Sequence, residues 1–144
     1  MHVLIAVEPS YSTAEPAVRG MALLTQPDRV TVLTVITHVA IGLEEWELEE
    51  LLRLDEEDRL WRNQVAEANA AIERTTSVLA PAPVDRRLEA GDAGRTICAI
   101  AGELAVDVVV VGSRARHGVG RFGSGHVTRY VLHHAPCPVL AVAW

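Results

Sequence analysis

Four short, uncharged, β-branched runs constrain this chain most. They are VLIAV at 3–7, VTVLTVI at 30–36, VVVV at 108–111 and VLAVA at 139–143. None alternates apolar with polar residues, as a half-exposed strand would, so each suits a strand buried on both faces. A weaker fifth strand falls at 84–89, where Arg86 and Arg87 sit mid-run. Charge there is tolerated at a sheet edge.

Helical patterns separate the strands. Ser12 to Glu15 reads as a capping box ahead of Ala17, Val18, Met21 and Leu24, with Pro16 acceptable only in a first turn. Residues 44–79 read as a long helical stretch with a break near Leu54 and Asp55, and nine of the 16 residues from Glu44 to Arg59 are acids. That run reads first as a solvated face. Residues 93–105 place Ile97, Ile100, Ala101 and Leu104 on one helical face, and a last helix over 126–134 is stopped by Pro136. Strands alternating with helices predict a single α/β domain over 1–144, with a parallel sheet covered on both faces. Such sheets bind ligands beyond the carboxyl ends of their strands, where the winding reverses. The segments to inspect are therefore 8–12 and 112–125.

Charge favours the second. The 144 residues carry 19 acids, 13 arginines and no lysine, for a net charge of −6. No acid follows Asp107, while Arg114, Arg116, Arg121 and Arg129 do. An acidic protein with one basic segment can focus an anion there, whereas the overall sign argues against a nucleic-acid partner. No apolar run reaches the roughly 18 residues of a membrane span, and MHVLIAVEPS reads as a strand rather than an export signal. The cytoplasm is the expected compartment. Cys98 and Cys137 match no metal or disulfide spacing and read as small buried hydrophobes.

The segment 112–125 holds five glycines in 14 residues. Glycine-rich turns that lead into a helix aim backbone N–H groups at a phosphate. Gly125 would precede the last helix, with His126, Val127 and Thr128 supplying N–H groups and Thr128 a hydroxyl. Gly118 to Gly123 satisfies G-x-G-x-x-G but lacks the preceding first strand and the following acid of a dinucleotide fingerprint. A P-loop is impossible without lysine. The connection could equally be a plain glycine-rich link. Ser10, Ser113 and Ser124 lack the setting of a nucleophile. His117, His126, His133 and His134 form no standard zinc pattern, and His133 and His134 suit a helix end. No catalytic or metal residue is assigned.

VLIAVEPS at the start, Gly91 after the third strand, VVVVGSR at 108–114 and HHAPCPVLAVA at 133–143 carry a resemblance over nearly the whole length. The chain resembles the universal stress protein (UspA-like) family. The resemblance implies a flavodoxin-like, adenine nucleotide alpha hydrolase-like fold, a doubly wound five-stranded parallel sheet of order 3-2-1-4-5. It also implies a cytoplasmic homodimer formed through strand 139–143. One branch of the family binds ATP through Gly, two residues, Gly, nine residues, Gly, then Ser or Thr. Gly112 and Gly125 match. Ala115 replaces the second glycine and His126 the hydroxyl residue, while Glu8 stands where the family has an aspartate near ribose and base. The implied nucleotide site comprises Ala6, Val7, Glu8, Val35, Gly112, Ser113, Arg114, Ala115, Gly118, Gly125, His126, Val127 and Thr128. Two functions remain open: a stress-response regulator binding ATP, with at most slow hydrolysis and no clear carboxylate pair for Mg²⁺, or a dimeric interaction module that binds no nucleotide.

Overall fold

The computed structural model describes residues 1–9, 13–25, 27–37, 54–79, 83–113 and 124–144. The elements run β1 (His2–Val7), α1 (Glu15–Ala22), β2 (Arg29–Ile36), α2 (Leu54–Val78), β3 (Val84–Ala90), α3 (Ala93–Glu103), β4 (Val108–Ser113), α4 (Ser124–His134) and β5 (Val139–Ala143). The sheet is wholly parallel, in the order β3-β2-β1-β4-β5. The five expected strands and their order are all present.

Both faces of the central strands are buried, as their composition requires. On one face Val3, Ile5, Val30, Val32, Val108 and Val110 pack under α1 and α2 through Ala17, Ala71 and Ile72. On the other, Leu4, Leu33, Val35, Val109 and Val111 pack under α3 and α4 through Ile97, Ile100 and Val131. Adjacent residues of one strand point to opposite faces, so an uninterrupted valine run fills two cores at once.

The edges differ. β3 carries its charges in ion pairs: Arg29 with Asp85, Arg86 with Glu73, and Arg87 with both Glu89 and Glu103. β5 has no charged residue, and its Ala141 and Ala143 are exposed.

Several boundaries differ from the sequence expectation. Helix α1 begins at Glu15 with Ala14 as its cap residue, later than the expected capping box, and Ser12 lies outside the described residues. Pro16 forces this late start, because an earlier one would place it beyond the first turn. Thr13 Oγ1 accepts from the Glu15 N–H at 3.1 Å. The acidic run 44–53 and Ser10 also lie outside the described residues. The expected loop 112–125 is shorter at both ends. Gly112 and Ser113 remain in β4, paired with Val142 and Ala143, and Ser124 and Gly125 already belong to α4. Parallel pairing with β5 extends β4 past its last valine.

Candidate functional site

The winding reverses between β1 and β4, and a pocket of about 400 Å³, counting its open mouth, lies beside that point. Register explains its position. Ala6 pairs with Leu33 on one side and Val111 on the other, so the three strands end nearly level. Ala6, Val7 and Glu8 come from the end of β1, Leu33 and Val35 from β2, and Val111 and Gly112 from β4. Two helices close the remaining side, α3 with Ala93 and Ile97 and α4 with Val127 and Thr128.

The lining is mainly apolar. Glu8 is the one charged residue among the described lining residues. An apolar slot with a few polar groups at its rim is the usual form of a small-molecule site.

Helix α3 reaches the pocket because of how it starts. Gly91 has φ of 140° and donates its N–H to the Ile36 carbonyl at 2.9 Å. That backbone angle is costly for any side chain. It turns the chain sharply from β3 and ties the start of α3 to the end of β2. Asp92 then caps the helix, its Oδ1 accepting from the Arg95 N–H at 2.9 Å.

Thr128 anchors α4. Its side chain is buried, and its hydroxyl donates to the Gly112 carbonyl at 3.0 Å. A hydroxyl has one proton to donate, so here it is spent on the end of β4. The first turns of α4 are thereby fixed against the pocket rim, and α4 directs its N-terminal, electropositive end toward that rim.

Seven of the residues named from sequence therefore meet around one pocket: Ala6, Val7, Glu8, Val35, Gly112, Val127 and Thr128. Ser113 ends β4 just beyond it, its carbonyl accepting from the Trp144 N–H at 3.2 Å. Gly125 and an exposed His126 occupy the first turn of α4. Arg114, Ala115, Arg116, Gly118 and Arg121 lie outside the described residues. Leu33, Ala93, Ile97 and Val111 were readable only as core positions. The one sequence signal for Ala93 was its place just after Gly91 and Asp92.

His134, Cys98 and Cys137 have ordinary roles. The His134 ring stacks on Tyr130 with centroids 4.1 Å apart, and its Nδ1 lies 2.9 Å from the Tyr130 carbonyl. Burial pushes the Cys98 thiol up, aided by Cys137, and pushes the Cys137 thiol up, aided by Asp107. Raised thiols are poor nucleophiles at neutral pH. Among the described residues no group of three or more His, Cys, Asp or Glu could hold a metal ion, and no helix is long and apolar enough to cross a membrane.

The universal stress protein family model matches residues 1–143. The chain belongs to the universal stress protein family. A universal stress protein of Synechocystis is 42% identical over 52 residues, a stretch covering 36% of this chain and 48% of that relative. Among solved structures, the universal stress protein UspA from Lactobacillus plantarum superposes with a TM-score of 0.71 at 24% identity, covering 99% of this chain and 97% of that one. A family member from Arabidopsis thaliana with AMP bound gives 0.68 at 17% identity, covering 99% and 91%. The universal stress protein from Archaeoglobus fulgidus in complex with dAMP gives 0.59 at 21% identity, covering 99% and 97%. At these identities the likeness establishes the shared fold.

The Thr128 anchor generates a prediction. Thr128→Val leaves the Gly112 carbonyl buried without this donor and should lower unfolding free energy by about 1–2 kcal/mol in urea denaturation. Thr128→Ser should retain most of that stability. A Thr128→Val protein as stable as wild type, with the loss falling on Thr128→Ser instead, would show that methyl packing, rather than the hydrogen bond, is what matters.

Proposed function

We propose that this universal stress protein is a regulatory protein that binds an adenine nucleotide such as ATP in the pocket at the ends of β1, β2 and β4. The observation that carries this reading is the pocket itself, an apolar slot bounded by the electropositive start of α4 with one carboxylate at its edge. The faces of a planar base suit a slot lined by Val35, Ile97 and Val127. Glu8 can accept hydrogen bonds from sugar hydroxyls, which an ionised phosphate cannot donate. The phosphates then point toward α4, where Gly125 and His126 offer backbone N–H groups. Arg114, Arg116 and Arg121 are the cations available in the adjoining segment. Bound AMP and dAMP in two proteins of the same fold support an adenine nucleotide over other ligands. No reaction is assigned: the described lining residues include one carboxylate and no nucleophile paired with a base. The net charge of −6 favours a small anion in a local basic segment over a nucleic acid. A cytoplasmic setting, where thiols stay reduced, fits the free Cys98 and Cys137.

Calorimetric titration with ATP, ADP and AMP tests the reading. Wild-type protein should bind, and Arg114→Ala and Gly125→Val should each weaken ATP about tenfold or more. No binding at millimolar ATP would end the nucleotide reading. Binding that survives both substitutions would place the nucleotide elsewhere.

A second, compatible reading is a homodimer formed through β5. It is favoured by the contrast between the charged β3 edge and the uncharged β5 edge. An unguarded edge is a template for pairing with another chain. Sedimentation should show a dimer for wild type and a monomer for Ala141→Asp. A monomeric wild type at micromolar concentration would contradict it.

A further inference from the structure

The pocket is closed on one side by two helices, and its width depends on how closely they approach. The two helices also touch each other beside the lining, where Gly94 follows Ala93 and Tyr130 stands one turn from Val127. Gly94 and Ile97 are three apart on α3, and Val127 and Tyr130 are three apart on α4, so each pair shares a helix face. Gly94 meets Tyr130. A Cβ placed on Gly94 would lie 2.7 Å from Tyr130 Cδ1, 2.9 Å from Cγ and 3.1 Å from Cβ. A flip of the ring about χ2 leaves the last two atoms in place, so relief requires either a χ1 change that gives up the stack on His134 or a shift of the helix. The ring is also held by its stack on His134, at 4.1 Å and 14°.

We propose that the Gly94–Tyr130 contact is the spacer that sets how closely α3 and α4 approach where they line the ligand pocket through Ile97 and Val127. This rests on the nucleotide reading for the identity of the occupant, a purine base, but not for the geometry. The magnitude follows from dispersion. A gap of roughly 0.5–1 Å forfeits a quarter to a half of a van der Waals contact. A methyl at position 94 pushes α4 away by such an amount and loosens Val127 and Ile97 against a base together. Gly94 and Tyr130 do not line the pocket, so they act as positioning residues.

The test is a double-substitution cycle with two readouts. AMP affinity is measured by calorimetry for wild type, Gly94→Ala, Tyr130→Ala and the double variant. Backbone amide shifts of Ile97 and Val127 are measured in the same proteins without ligand. Gly94→Ala should weaken AMP about tenfold and move both amides. The double variant should return to within about threefold of Tyr130→Ala, with the shifts restored. Losses that simply add, or a Gly94→Ala protein with wild-type affinity and shifts, would overturn the spacer. If wild type binds no AMP, the nucleotide reading fails alone, and the ligand-free shifts still decide the spacer. If Gly94→Ala does not fold, Tyr130→Trp overfills the same contact from α4. It should then weaken AMP and move the same amides, and wild-type behaviour of that variant would overturn the spacer.

Discussion

The parallel pairing of β1 with β2 on one side and β4 on the other is the constraint from which the site follows. Because β1 is central, the helical connections on its two sides leave on opposite faces of the sheet, and the ends of β1 and β4 part without a helix between them. The crevice is a consequence of winding order. It needs no special residue to open it, only side chains that stay small or apolar around it. Ala6, Val111 and Gly112 provide those from the two strands.

What turns a crevice into a site of defined shape is the placement of α3 and α4. Each is fixed by local chemistry near its beginning. The turn at Gly91 and the Asp92 cap set α3 at the end of β2. Thr128 ties α4 to the last turn of β4, and Tyr130 rests on Gly94. Thr128 and Gly112 themselves line the pocket, whereas the Gly91 turn, the Asp92 cap and the Tyr130–Gly94 contact lie beside the lining. The rim is thus positioned in part by groups that a ligand need not touch.

The fold was legible in the sequence because strands buried on both faces leave an unmistakable composition. VVVV at 108–111 cannot sit half in water, and the paired arginines Arg86 and Arg87 cannot sit mid-sheet. Together with helix periodicity these fix the class, and the resemblance to the family supplied the strand order. Less legible were the ends of elements. Whether Gly112 and Ser113 belong to strand or loop depends on pairing with β5, a contact between segments about 30 residues apart. For the site, Glu8 and Val35 came from the family resemblance, and Val127 from its place in the first turn of the last helix. Ala93 and Ile97 did not emerge, because a residue lining a pocket and one filling a core obey the same helical spacing. Thr128 was picked out as a hydroxyl for a ligand, and its hydroxyl instead holds the scaffold. Sequence spacing identifies that a donor is present; only tertiary structure decides where its proton goes.

The central claim is that a nucleotide occupies the crevice at the ends of β1, β2 and β4. The most direct measurement is a titration of isotope-labelled protein with ATP, following backbone amide shifts residue by residue. Saturable shifts should concentrate at Val7, Glu8, Val35, Gly112 and Val127, with β3 and the amino ends of the strands unmoved. Saturable shifts confined to another surface, or none at all, would contradict the account.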